Sequence, residues 1–225
     1  MSETNEHVLN YYHVHQTGRG FSEYSVDGIV DYKSWSNAPV KILFLLKENW
    51  GYQGCGVFSM GEEIPKWVSD NVPTYKRIAI TSELIFSRVL ADFETTPDQL
   101  KGDSARLIKA IKQIAVINIK KVSGTSTSND ASIRRESRKN ADLLKMQIEN
   151  IKPDVIIAGG SVCWDSLILD VGLFNPEQKA ECWDGFVDSG VVLFRSKHPS
   201  ARGAYPFENI AKRVCDLTTK KPTSD

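Results

Sequence analysis

Three short segments of the chain combine hydrogen-bonding side chains with a turn. They are Glu48-Asn49-Trp50-Gly51, the isolated Asn118 of Ile117-Asn118-Ile119, and His198-Pro199-Ser200. An Asn beside a carboxylate can hold a water or a substrate edge with its two-sided amide, although Glu48 and Asn49 can equally cap a turn. Asn118 interrupts an apolar run, and a buried amide left unpaired costs about 1 to 3 kcal/mol, so either neighbouring backbone or a ligand must satisfy it. A buried Asn can also pair with the edge of a base. His198 is of the type most often used as a positioned proton or hydrogen-bond donor near neutral pH, and Pro199 stiffens the turn that aims it. Ser200 can donate to a phosphate, and Arg202 can reach one. As an isolated tripeptide, His-Pro-Ser also reads as an exposed turn, and Arg202 as a solvated arginine. Phe58, in Gly56-Val57-Phe58-Ser59, is placed either to join the core or to stack on a flat ring.

Four apolar runs can position these groups: 41–46, 114–119, 154–158 and 191–195. Each is continuous rather than alternating, as expected of strands buried on both faces. Helical patterns separate them, over about 75–92, 102–113 and 130–152, with a short helix after Gly159-Gly160-Ser161 and a last one over 206–217. Alternating strands and helices predict an α/β three-layer sandwich, with a central, mainly parallel four-stranded sheet flanked by helices. Ligands of such sheets bind beyond the carboxyl ends of the strands, where Glu48-Asn49, Asn118 and His198 would converge. Residues 1–40 read as a helical and irregular segment packed on the domain, 41–217 as the domain, and 218–225 as a flexible tail.

At 225 residues with 41% hydrophobic and 25% charged, the composition is that of an ordinary globular protein. No apolar run reaches the roughly 20 residues of a membrane helix, and the first residues lack the pattern of a signal peptide, so no membrane partner and a cytoplasmic location are expected. Cys55, Cys163, Cys182 and Cys215 form no C-x-x-C pair, which argues for reduced structural cysteines, no metal and no cofactor. Lys plus Arg equals Asp plus Glu at 28 each, so any contact with nucleic acid depends on local patches. The candidates are Lys120, Lys121, Arg134, Arg135, Lys197 and Arg202, with hydroxyl donors from Ser123 to Ser128.

In their order along the chain, Lys47-Glu48-Asn49-Trp50-Gly51, Gly56-Val57-Phe58-Ser59, Asn118 and His198-Pro199-Ser200 resemble the motif set of the uracil-DNA glycosylase superfamily. That family's first motif is Gly-x-Asp/Asn-Pro-Gly/Tyr and its last is His-Pro-Ser-Pro. Lys152-Pro153-Asp154 followed by an apolar strand is also similar to its penultimate strand. The resemblance spans roughly Lys41 to Val214 and makes 41–217 a uracil-DNA glycosylase-like domain. It departs at Lys47, Trp50 and Ala201, and Arg202 stands where many members insert an apolar wedge.

The resemblance implies a DNA glycosylase-like protein that hydrolyses the N-glycosidic bond of a flipped uracil or other modified base. Asn49, with Glu48 beside it, would hold the attacking water, and His198 would stabilise the departing base. Phe58 would stack on that base with Trp50 near it, Asn118 would read its edge, and Ser200, Arg202, Lys120 and Lys121 would hold phosphates. The implied partner is DNA, single-stranded or modified, bound by a monomer. Two other readings remain open: a catalytically silent nucleic-acid or nucleotide binding module of the same fold, and an unrelated enzyme holding phosphate at Gly159-Gly160-Ser161.

Overall fold

The computed structural model describes residues 3–49, 56–124, 128–175 and 185–219. All four expected strands are present: β3 (Ile42–Leu46), β5 (Ala115–Asn118), β6 (Val155–Gly159) and β8 (Val191–Ser196). They are mutually parallel, in the spatial order β5-β3-β6-β8. The sheet is nevertheless six-stranded and mixed, not four-stranded. β2 (Gly28–Ile29) pairs antiparallel with β5 at one edge, and β7 (Gly185–Asp188) pairs antiparallel with β8 at the other. Both additions are short strands from segments of weak apolar pattern. They close the edges that four bare strands would leave unpaired.

Side chains alternate across this sheet, and each face builds a core. Ile42, Phe44, Leu46, Val116, Ile157 and Phe194 pack under α3 (Met60–Ser69), α4 (Pro73–Val89), α6 (Ser104–Lys112) and α10 (Phe207–Thr218). Leu43, Leu45, Ile117, Ile156, Ala158 and Leu193 pack under α7 (Asp130–Lys139), α8 (Ala141–Ile151) and α9 (Ser161–Asp165). The fold is therefore a three-layer α/β arrangement.

Local sequence explains most helix boundaries. Asn129 caps α7 by accepting from Ser132 N, and the 130–152 helical pattern divides at Asn140 into α7 and α8, where the Asn140 side chain donates to Ile119 O while its backbone N–H still bonds Glu136 O. Lys152 closes α8 in a left-handed conformation before Pro153. The stretch after Gly56 is not simply a loop. It holds β4 (Val57–Ser59) and α3, in which the interior Pro65 masks the helical pattern. A short α5 (Pro97–Lys101) with a complete capping box precedes α6.

The segment before β3 is more regular than expected. It contains α1 (Glu3–Gly18), β1 (Tyr24–Val26), β2 and α2 (Tyr32–Ser36). α1 lies on α8 through a small cluster of Tyr12, Tyr24 and Leu143, and β1 pairs in parallel with β4. Among the described residues, no helix is long and apolar enough to cross a membrane.

Candidate functional site

The chain runs from β3 outward to β5, then returns past β3 to β6 and on to β8. In sheets of this kind ligands bind beyond the carboxyl ends where crossovers leave neighbouring strands in opposite directions, and that switch point falls here between β3 and β6. In register across that edge lie Asn118 opposite Leu46, and Gly159 opposite Ser196. By strand alternation all four belong to the face covered by α3 and α4. A Cβ at Gly159 would lie 3.1 Å from Leu46 Cδ2 and 3.3 Å from His198 Cδ2. The glycine leaves the space that the imidazole uses.

Asn49 and Asn118 meet on one atom. Asn49 Nδ2 donates to Met60 Sδ at 2.8 Å and Asn118 Nδ2 donates to the same sulfur at 3.1 Å. Asn49 Nδ2 also donates to Ser25 Oγ (3.1 Å), while Tyr75 Oη donates to Asn49 Oδ1 (3.0 Å). Tyr75 is itself held against Trp67, with ring centroids 4.6 Å apart. The Asn49 amide is thus committed on both sides, and only the second lone pair of Oδ1 is left for a further donor. Asn118 differs: its side chain is fully buried, yet Oδ1 has no partner among the described residues. Its backbone N–H, beyond the reach of the short β2, donates to Asp27 Oδ2 at 2.7 Å. The hydrogen-bonded ladder continues past the strands through Ile119 N to Leu46 O, Lys120 N to Lys47 O and Gly124 N to Asn49 O, so the segments carrying both amides form one rigid edge.

His198 stands two strands away. Ser200 N donates to its Nδ1 at 3.1 Å and Ser200 Oγ lies 2.7 Å from the same atom. An Nδ1 that accepts from a backbone amide places the proton of a neutral imidazole on Nε2. That Nε2 is buried and has no partner among the described residues. Burial, reinforced by the positive charge of Lys47 and opposed by Asp130, lowers the ring's pKa to about 4, so the imidazole is neutral across the physiological range.

Two cations hold the loop that carries His198. Arg77 Nη1 donates to Pro199 O and Ala201 O at 2.7 Å each, and Nη2 to Gly203 O at 3.3 Å, while the guanidinium lies over the Tyr205 ring. Lys197 Nζ takes Arg202 O at 2.8 Å and Ala204 O at 3.3 Å. Ser200 and Arg202 are exposed beside this loop.

The remaining candidates are distributed differently. Glu48 forms an ion pair with Lys120 at 2.6 Å, which occupies both as a mutual pair. A Cβ at Gly124 would fall inside the Glu48 carboxyl group, so Gly124→Ala should displace that carboxylate and lower stability by about 1 to 3 kcal/mol in urea unfolding. Lys121 is corrected outright as a phosphate contact. It is 1% exposed, and its Nζ is bound to Asp27 Oδ1 (2.9 Å) and Gln147 Oε1 (2.7 Å). Phe58 lies in β4, partly buried against the α3–α4 core. Trp50, Cys55, Cys182 and residues 125–127 lie outside the described residues.

Gly159-Gly160-Ser161 does not form a phosphate cradle. Gly160 N donates inward to Ser196 O (2.8 Å), and α9 has five residues before a π-helical turn, Ser166–Asp170. Among the described residues no group of three or more His, Cys, Asp or Glu side chains could hold a metal ion. Sequence reasoning did not single out Met60, Tyr75, Arg77 or Asp27. Each acts on a residue far away in sequence, and a Met or Tyr at helical spacing reads simply as core.

The chain matches no protein-family model, and no curated protein matches it.

Proposed function

We propose that this protein is a DNA glycosylase-like enzyme of the uracil-DNA glycosylase superfamily, hydrolysing the N-glycosidic bond of a flipped uracil or other modified base. The observation that carries this reading is a pair of buried atoms without a partner among the described residues, the acceptor Asn118 Oδ1 and the donor His198 Nε2, both at the carboxyl end of the sheet. Buried polar atoms of native proteins are satisfied with few exceptions, and an unsatisfied donor and acceptor at a strand-end crevice suit a ligand bearing the opposite groups. A nucleotide turned out of its stack would present such an edge. As the bond from C1′ to the base nitrogen breaks, its electron pair goes to the base. His198 Nε2–H would stabilise that charge, and a water accepted at Asn49 Oδ1 would attack C1′. Phe58 is the candidate for stacking. Lys197, Arg135 and Arg202 supply the exposed positive charge, while Lys120 is held by Glu48 and Arg134 by Asp165.

The test is incubation with oligonucleotides carrying single modified bases, followed by mild alkali, which cuts at abasic sites. Strand cleavage at one of the modified positions is the expected result, and affinity for the same oligonucleotide should fall from low to moderate salt. The second reading, a binding module without catalysis, is favoured by the Asn49 amide, which already has three partners. It predicts tight, salt-sensitive binding with no base released from any oligonucleotide.

A further inference from the structure

The geometry points to a second binding site, a cleft between α4, α5, α10 and the loop that carries His198, which takes a nucleotide with its phosphate on Lys76 and Lys101 and its base against Phe207. The cleft uses none of the crevice residues, so its failure would leave the base-excision reading untouched.

The cleft has a volume of about 460 Å³, within the range of small-ligand sites. Lys76, Arg77 and Ile80 line it from α4, Lys101 from the end of α5, Phe207 from the start of α10, and Gly203 to Tyr205 from the loop. Three cations line it, and among the described residues no carboxylate does. In a chain whose charges balance at 28 each, that local excess calls for an anion. Lys76 Nζ donates to Asn71 Oδ1 at 2.6 Å and Arg77 to three loop carbonyls, so both charges meet neutral partners. Lys101 is paired with Asp98 at 2.7 Å, but both side chains are exposed, and such a pair is weak enough to yield to a phosphate. An ammonium has three N–H donors, so each lysine keeps two beyond its present bond.

The apolar side of the cleft decides between a simple anion and a nucleotide. Tyr205 is closed to a ligand: it is 7% exposed, and the Arg77 guanidinium already lies over its ring, 5.6 Å from the centroid. Phe207 is only partly buried and meets Tyr205 at a steep angle, with ring centroids 5.1 Å apart and planes at 63°. Its ring lines the cleft beside Ile80 and is not sealed in the core, so a flat ring can stack on it. A bare phosphate would leave this apolar wall in water, and an uncharged ring would leave the cations without a counter-charge. A nucleotide meets both needs with one molecule. A stacking face reads no hydrogen-bond pattern, so the cleft accepts any base.

The test records amide spectra of the full isotope-labelled chain at constant salt during titration with deoxyadenosine monophosphate, deoxyadenosine, inorganic phosphate, and a short single strand of deoxyadenosines. The monophosphate should shift the amides of Gly203, Ala204 and Phe207 and bind at least about 10-fold more tightly than deoxyadenosine or phosphate. Lys76→Gln with Lys101→Gln keeps the surface polar and removes both charges, and should weaken the monophosphate by about 10-fold or more. Phe207→Leu keeps an apolar side chain without a ring and should weaken it by about threefold or more. Thermal melting and the dispersion of the spectra establish that the variants are folded. A strand that shifts the same amides makes the occupant a unit of single-stranded nucleic acid, and a strand that leaves them unmoved makes it a free nucleotide; both uphold the site. Phosphate alone binding as tightly as the monophosphate, unchanged affinity in the folded variants, or shifts at Asn118 to Lys120 with none at Gly203, Ala204 and Phe207 would each overturn it.

Discussion

His198→Ala should reduce base release by about 100-fold or more, the scale of losing one preorganised donor to a developing anion, with oligonucleotide affinity falling much less. Single-turnover rates on the oligonucleotide found to be cleaved, alongside anisotropy with its cleavage-resistant analogue, separate the two quantities. Equal losses in both would make His198 a binding residue and would favour the module without catalysis. The pH profile is a second check. With its pKa lowered to about 4 by burial, the ring remains neutral through pH 6.5, where an ordinary histidine would titrate. Base release should therefore show no inflection near 6.5 and should decline as pH approaches about 4, because a second proton on Nδ1 would face the Ser200 N–H. Stability follows the same sign. Between about 4 and 6.5 the unfolded chain binds a proton that the native ring does not, so unfolding becomes easier as pH falls through that window and this contribution levels off below it. His198→Gln should lack that component.

Lys121→Ala should destabilise the fold by about 3 to 5 kcal/mol, because it leaves a carboxylate without its buried counter-charge. Asp27 accepts from Lys121 at 2.9 Å, from Gln147 Nε2 at 3.0 Å and from Asn118 N at 2.7 Å, and both side chains of the ion pair are sealed from solvent. Burial lowers the lysine's pKa, opposed by Asp27, and the ammonium lies over the Tyr12 ring. Guanidinium unfolding measures the loss. Replacing both partners by apolar residues, Asp27→Leu with Lys121→Met, should cost less than Lys121→Ala alone, since no buried charge then remains. If Lys121→Ala costs no more than a surface lysine would, the ion pair is not buried in solution.

These two sites illustrate what local sequence can reveal. The four central strands were legible because each is an unbroken apolar run, and their parallel order follows from the helices between them. The position of Asn49, Asn118 and His198 at the carboxyl end of the parallel strands followed from the same logic, since each ends such a run or lies within three residues of its end. Lys121 was not legible. In Lys120-Lys121 both residues read as a solvated pair, and the burial of the second is created by Asp27, 94 positions earlier in a segment with no apolar pattern. The edge strands β2 and β7 escaped notice for a related reason. Two and four residues long, they pair because an edge is available rather than because their own sequence demands it. Met60 and Arg77 act through partners 58 and up to 126 positions away, a relation that periodicity cannot record.

The continuation of the β3–β5 ladder past both strands has a dynamic consequence. Asn118 and Asn49 are carried by segments whose amides, Asn118 through Lys120 and then Gly124, donate to Asp27 and to successive carbonyls after β3, so they should open only with the whole sheet. His198 is carried by a loop that two cationic side chains clasp from outside, and such a clasp can release without breaking any strand pairing. In amide exchange, Ile119 and Lys120 should be among the slowest in the chain, and Arg202 to Ala204 among the fastest of the loops. A ligand therefore meets one fixed wall, which tests its edge, and one compliant wall, which can settle against it afterwards.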